Sequence, residues 1–401
     1  VLLFFPEATM FSSRTAWDLT PNRLAAELER LRARGRKILD LTESNPTRCG
    51  FKYNRRAILR ALARPATLQY HPDPRGMLSA RQAVAEYYHR RGSGAASLRV
   101  APERILLTAS TSEAYSFLFR LLCEPGDQVL VPSPSYPLFE FLAGLNDVEL
   151  LPYPLLYDHG WQMDLHSLES AITPRTRALV VVNPNNPTGS FMKRQELEAL
   201  NSLCARRSLA LIADEVFLDY AHQDRARPSL AANRGVLTFA LSGLSKISAL
   251  PQMKVAWMVV NGPKSEVEQA LARLEVIADT YLSLNTPAQV ALPVLLAQRK
   301  VVQTQMRRRI AANRRQLTQQ LASHPACRVL ESEGGWYAVL RVPATGPEED
   351  LALALLRRRR VLAHPGHFYG LAGEGHLVLS LIVPEGRFRE GLRQVLGSIV
   401  G

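Results

Sequence analysis

The sequence predicts an α/β protein in which a mostly parallel sheet, flanked by helices, is joined to a smaller α+β domain. Six apolar runs of strand length recur between residues 104 and 260, and each ends at polar or turn residues. Helical patterns lie between them, and continuous apolar runs suit strands buried on both faces. After about residue 285 the alternation gives way to long helical stretches and fewer apolar runs, which reads as a second domain. A chain of 401 residues that is 47% apolar is long enough to bury two cores.

In chain order, "TPNRLAAELERLRARG" (20–35) places Thr20 as N-cap and Pro21 at the first helical position, with Leu24, Leu28 and Leu31 on one face. Gly35 then ends the helix. "ILDLTESNP" follows as a short strand entering a loop. The six runs are "RILLTAS" (104–110), "QVLVPS" (128–133), "RALVVVN" (177–183), "LALIADE" (209–215), "VLTFALS" (236–242) and "KVAWMVV" (254–260). Sheets of this kind bind ligands at the carboxyl ends of their strands, so the tails of these runs are where chemistry is expected. A helical region (287–323) leads to "CRVLESEGGWYAVLRV", an arginine-rich helix, "VLAHPGHFYG", "HLVLSLIVP" and a closing amphipathic helix. The expected division is an N-terminal arm and helix (1–48) packing with the small domain, a large domain (49–285) and a small C-terminal domain (286–401).

The net charge of +13 raises the question of nucleic acid or an anionic membrane. The arginines are dispersed or sit in helix-like blocks such as "RRRI" (307–310) and "RRRR" (357–360), without zinc-finger spacing or an RNP-type aromatic stretch. They read as solvated helix faces that also attract small anions, not as a nucleic-acid or membrane surface. Cys49, Cys123, Cys204 and Cys327 are far apart and lack metal-ligand spacing, so no metal site is expected and a reducing, cytoplasmic setting is the simplest account. The opening "VLLFFPEAT" is too short for a signal peptide or a span, and Met10 is a candidate start.

Three strings carry chemistry. "VVVNPNNPTG" (180–189) ends a buried strand in asparagines stiffened by prolines and turns on Gly189. "LIADEVF" (211–217) puts Asp214 at a strand end, where a buried carboxylate needs a cation or strong donors; a helix N-cap is the plainer alternative for an isolated aspartate. "SGLSK" (242–246) closes another run with Lys246.

In this order and spacing the three strings strongly resemble the class I/II aminotransferases, fold-type-I pyridoxal-phosphate-dependent enzymes, and the resemblance runs from about residue 20 to the end. It implies a seven-stranded large-domain sheet, with the small domain drawn from both chain ends. It implies pyridoxal 5′-phosphate joined to Lys246 as a Schiff base, with Lys246 later moving the proton between the substrate's α-carbon and the cofactor. A partly desolvated lysine suits that role. Asp214 would keep the pyridine nitrogen protonated, and Asn186 would bond the phenolic oxygen and help place the substrate. Ser110, Thr111 and Ser112, at a helix start, would bind the phosphate together with Ser245 and Lys254. Lys254 stands where the family usually has arginine. Tyr136 matches the aromatic stacked on the ring, with a turn-flanking core aromatic as the weaker alternative. Tyr70 matches a tyrosine that reaches the neighbouring subunit's phosphate, which implies a homodimer with shared sites.

Two departures bear on function. Phe217 replaces the tyrosine that donates to the phenolic oxygen, which should raise the pKa of the Schiff base. Val378, in "GHLVLSLIVP", replaces the arginine that forks onto the substrate carboxylate. Arg48, Arg75 and Arg341 are substitutes by chemistry alone, and each reads more readily as a solvated surface arginine. Asn45, Trp336 and His367 are further candidates for contact with substrate. The leading expectation is an aminotransferase acting on an amino acid and a 2-oxo acid. The alternatives are a lyase, decarboxylase or racemase on the same fold, or a non-catalytic regulator that binds the cofactor.

Overall fold

The computed structural model describes residues 10–91, 97–223 and 227–399; the opening "VLLFFPEAT" lies outside the described residues. The large sheet has eight strands, in the order Ile105–Thr108, Ala256–Asn261, Thr238–Gly243, Ala210–Asp214, Thr176–Val182, Gln128–Ser133, Glu149–Tyr157 and Trp161–Met163. Five strands in the middle of that order, from Thr238–Gly243 to Glu149–Tyr157, are mutually parallel. Ala256–Asn261 runs antiparallel to both its neighbours, and Trp161–Met163 runs antiparallel at the other edge. The sheet is thus mixed, and one strand larger than the expected seven.

The strand "ELLPYPLLY" (149–157) does not show as an apolar run because Pro152 and Pro154 interrupt it. Prolines donate nothing to a sheet and survive where one side is unpaired. Pro152 and Pro154 face Val131 and Ser133 across one ladder, while the hairpin on the other side covers only Leu155–Tyr157. The central strands match their apolar runs. Leu130, Leu179, Val180, Leu211, Ile212, Ala240 and Leu241 are wholly buried under helices, each large aliphatic contributing about 2 kcal/mol.

The N-terminal helix covers Arg23–Ala33, and its cap is Asn22 instead of Thr20. Asn22 Oδ1 accepts from Ala25 N at 2.8 Å, whereas Thr20 N is already turned onto Asp18 Oδ1 at 2.9 Å. An asparagine two residues on thus satisfies the orphan N–H group of the first turn. Leu24 and Leu31 pack on Ala352, Leu353, Leu356 and Leu362, so this helix lies against C-terminal residues. Leu39–Asp40 pairs in parallel with Val361–Leu362. A second, antiparallel sheet runs Arg328–Val329, Tyr337–Arg341, His376–Ser380, His364–Pro365. The 23-residue helix Arg299–Leu321 spans from the end of the large-sheet region to this second sheet.

Two glycines bring the sheets together. Gly189 has φ +71°, and a Cβ there would stand 2.3 Å from the carbonyl oxygen of Gly334. Its own carbonyl accepts from Glu333 N at 3.1 Å and Gly334 N at 3.0 Å. Only glycine fits this left-handed, backbone-to-backbone approach. The loop bearing Asn186 is thereby latched to the segment that leads into Trp336 and Tyr337.

Candidate active site

The carboxyl ends of the parallel strands converge on a cavity of about 280 Å³. Ala210–Asp214 delivers Asp214, Thr176–Val182 leads to Asn186, and Thr238–Gly243 turns directly into the short helix bearing Ser245 and Lys246. Ile105–Thr108 leads to Ser110, whose hydroxyl caps the helix Thr111–Leu122 by accepting from Glu113 N at 3.1 Å. Thr111 and Ser112 follow in its first turn, so their peptide N–H groups lack intrahelical acceptors and face the cavity end. Lys254 reaches the same cavity from a left-handed residue (φ +51°) at the start of the returning strand. That conformation costs about 1 kcal/mol in a residue with a Cβ, so the excursion from Lys246 to Lys254 is held by its surroundings.

Burial sets the electrostatics. It pushes the Asp214 carboxyl up to about 6, against the opposing effects of the Val216 N–H, the Tyr115 hydroxyl and the Lys246 charge. Val216 N donates to Oδ1 at 3.1 Å and Tyr115 Oη to Oδ2 at 3.3 Å. Burial also lowers the Lys246 ammonium, while Asp214 works the other way. Nζ makes no hydrogen bond among the described residues and lies 5.6 Å from the Phe217 ring centroid and 5.3 Å from that of Trp336. Burial beside aromatic faces thus eases Lys246 toward the neutral, nucleophilic form, against the opposing pull of the Asp214 carboxylate. Its backbone, by contrast, is pinned: Tyr220 Oη donates to the Lys246 carbonyl at 2.7 Å.

Ten of the residues singled out in the sequence line the cavity: Ser110, Thr111, Ser112, Tyr136, Asn186, Asp214, Phe217, Ser245, Lys246 and Lys254. Others stand elsewhere. Tyr70 is 73% exposed and borders a different, small cleft. Trp336 is fully buried behind Lys246, and its Nε1 has no partner among the described residues. Val378 is buried in the core of the second sheet. His367 sits over Glu348, which accepts from its peptide N at 2.9 Å, and Asn45 spends its Oδ1 on Thr47, 3.0 Å from the peptide N. None of Arg48, Arg75 or Arg341 lines the cavity, and Arg75 is paired with Glu275 at 2.6 Å. Among the lining residues that escape the sequence reading, three have polar side chains: Ser44, Tyr115 and Tyr337. The repeated glycine of "GGWY" is the one signal that marks Tyr337.

Comparison with known proteins agrees with this geometry. The profile of the family described as aminotransferase class I and II matches residues 36–392. The chain belongs to that family. It is similar to the glutamate–pyruvate aminotransferase AlaA of Escherichia coli, 32% identical over 271 residues, covering 67% of this chain and just under two thirds (66%) of that one. It is also similar to an alanine aminotransferase of Mycobacterium tuberculosis, 31% identical over 360 residues, covering 87% and 82% of the two chains. A crystal structure of an aminotransferase from Escherichia coli superposes with a TM-score of 0.85 at 26% identity, over 98% of this chain and 99% of the other. Class I/II aminotransferases use pyridoxal phosphate to exchange amino groups between amino acids and 2-oxo acids.

The residues present fit that cofactor. Asn186 is buried, makes no side-chain hydrogen bond among the described residues, and its Oδ1 is without a partner there. Its Nδ2 is thereby free to donate to a ring oxygen of the cofactor, while the buried Oδ1, which costs about 1–3 kcal/mol without a partner, would take a donor from a bound molecule. Gly243 admits no Cβ, which would stand 2.9 Å from the Val255 carbonyl oxygen, so the backbone beside Ser245 stays low. Serine and threonine hydroxyls, helix-start N–H groups and Lys254 form a phosphate-type donor set at one end of the cavity, and Asp214 stands ready for a protonated nitrogen.

Proposed function

We propose that this aminotransferase acts through Lys246, and that its couple joins an α-amino acid to a small 2-oxo acid of the pyruvate type. The observation that carries the reading is the pairing in one cavity of a depressed lysine and a raised carboxyl, Lys246 and Asp214. When bound, pyridoxal phosphate supplies an electron sink conjugated to the substrate's α-carbon. Lys246, desolvated by burial, would be the residue that moves the proton at the substrate's α-carbon, as base and then as acid. Asp214, fixed by Val216 N–H and Tyr115 Oη, would pair with a protonated pyridine nitrogen and favour that protonated form. Ser110, Thr111, Ser112, Ser245 and Lys254 would hold the phosphate, Asn186 would donate to the ring's phenolic oxygen, and Tyr136 would cover the ring.

The acceptor class is supported by the relatives, whose names include glutamate–pyruvate and alanine aminotransferases. A homodimer belongs to the same reading, with the exposed Tyr70 offered to the partner's phosphate, as does a cytoplasmic setting. The absence of an arginine from the described cavity wall favours a second reading, a lyase, decarboxylase or racemase that needs no carboxylate fork. An amino-acid panel without any oxo acid separates the two. Transamination predicts one turnover per site, with loss of the visible band and recovery on adding pyruvate. Continuous release of ammonia or carbon dioxide would overturn it.

A further inference from the structure

A second cavity, of about 400 Å³, lies apart from the active site and shares no lining residue with it. Among the described residues, its wall carries six basic side chains, Arg90, Arg91, Arg227, Arg299, Lys300 and Arg307, against a single carboxylate, Asp219. That carboxylate is already committed. Its Oδ1 accepts from Tyr87 Oη at 3.1 Å and Arg91 Nε at 2.7 Å, and its Oδ2 from Gln303 Nε2 at 2.8 Å. Asp219 therefore neutralises Arg91 and leaves the rest. Arg90 pairs with Glu86 at the surface, and Arg227 with Glu333 at 3.2 Å.

Arg299, Lys300 and Arg307 have no acidic partner among the described residues. Arg299 is only 8% exposed, yet its guanidinium is met by one carbonyl, Leu296 at 2.9 Å, and by the Tyr87 ring, 5.1 Å to the centroid. Arg307 gives one Nη to the Asp219 carbonyl at 2.8 Å. Arg227 Nε is buried with no acceptor among the described residues. A chain of net charge +13 attracts anions over much of its surface. A solvated face, however, leaves its guanidinium groups in water. Here the Arg299 guanidinium is nine-tenths buried at the cavity wall and the Arg227 Nε is buried without an acceptor among the described residues, and that unmet donor costs free energy until an acceptor arrives.

We propose that this cavity binds a small phosphorylated polyanion, a pyrophosphate or phosphate-ester group with at least two negative charges. Arginine forks match phosphate oxygens in pairs, and Lys300 adds a point charge. The concave, limited volume suits a small molecule better than a nucleic-acid strand. The site also backs onto the catalytic segment: Gln303, which clamps Asp219, donates to the Ile247 carbonyl at 2.8 Å, one residue from Lys246. None of this depends on which amino-group couple the enzyme uses.

The test is calorimetric titration of the cofactor-loaded protein with inorganic pyrophosphate, following the cofactor's visible absorbance to show that it is not displaced. The expected result is one site per chain, weakened at least tenfold by Lys300→Glu, an exposed position that leaves the fold intact, and by Arg307→Gln. Arg358→Glu, at an exposed position outside this cavity, should bind as the parent does. Absence of binding heat, or equal affinity in all three variants, overturns the proposal. A short single-stranded oligonucleotide is the second titrant; if it binds through Lys300 and Arg307 while pyrophosphate does not, the small-molecule assignment is wrong.

Discussion

Replacing Asp214 by asparagine should make the cofactor-free protein more stable at pH 8 while destroying what the carboxylate is for. Burial raises this carboxyl from 3.8 to about 6. A raised folded-state pKa means that ionisation favours the unfolded chain. The group's contribution is fully present below pH 4 and is lost as pH rises through 6. A shift of about two units corresponds to about 3 kcal/mol. The substituted amide keeps the acceptor for Val216 N–H at its oxygen and offers its nitrogen to the Tyr115 oxygen, as a protonated carboxyl would offer its hydroxyl, so the two neutral forms leave the same Tyr115 O–H without an acceptor. The attraction to Lys246 already lies within that shift, so the expected gain at pH 8 is the whole of it, about 3 kcal/mol. The assay is urea unfolding of both cofactor-free proteins from pH 4 to 8, reading only the difference between them, because other carboxylates cancel. The difference should be near zero at pH 4 and grow in the variant's favour to a plateau above pH 6. A variant that is less stable at pH 8, or a difference flat across the range, refutes the reasoning. Cofactor affinity should move the opposite way, since Asp214 is the partner for a cationic nitrogen.

Other expectations follow from the same geometry. Lys246→Ala should lose the visible absorbance of the cofactor-loaded protein and any borohydride-fixed adduct; a retained adduct means that another lysine does the work. Phe217→Tyr should place a hydroxyl on the cavity wall and lower the pH midpoint of the visible band by about one unit, and an unchanged midpoint would show that the hydroxyl points elsewhere. Gly189→Ala should cost about 3–5 kcal/mol in chemical unfolding, from left-handed strain and a Cβ driven into the Gly334 carbonyl; a cost below about 1 kcal/mol would mean that the latch yields.

The parts of the site that the sequence discloses are those that lie on one short stretch of chain. Asp214, Asn186, Lys246 and the hydroxyls at 110–112 each stand at the tail of an apolar run, where a parallel sheet must put its ligand. Tyr115 stays hidden because it sits inside a helix, and only the packing of that helix turns its hydroxyl to Asp214. Ser44 and Tyr337 enter from segments nearly three hundred residues apart, joined by tertiary contacts that no local pattern encodes. The missing strand at 149–157 shows the same limit in the fold, since its prolines are tolerated only because of where it sits in the sheet. Val378 marks the place of a missing anchor in the sequence, and its burial in the second sheet agrees with a residue chosen for packing.

The contact of Gly189 with Gly334 decides how the cleft can breathe. Where two backbones touch without side chains between them, neither sheet can draw back without losing the peptide hydrogen bonds from Glu333 and Gly334 to the Gly189 carbonyl. The loop that carries Asn186 into the cavity therefore moves only together with the segment that carries Tyr337 there, and two walls of the cavity are tied as one. Lys246 has a separate anchor, the Tyr220 hydroxyl on its carbonyl, so its backbone does not depend on that tie.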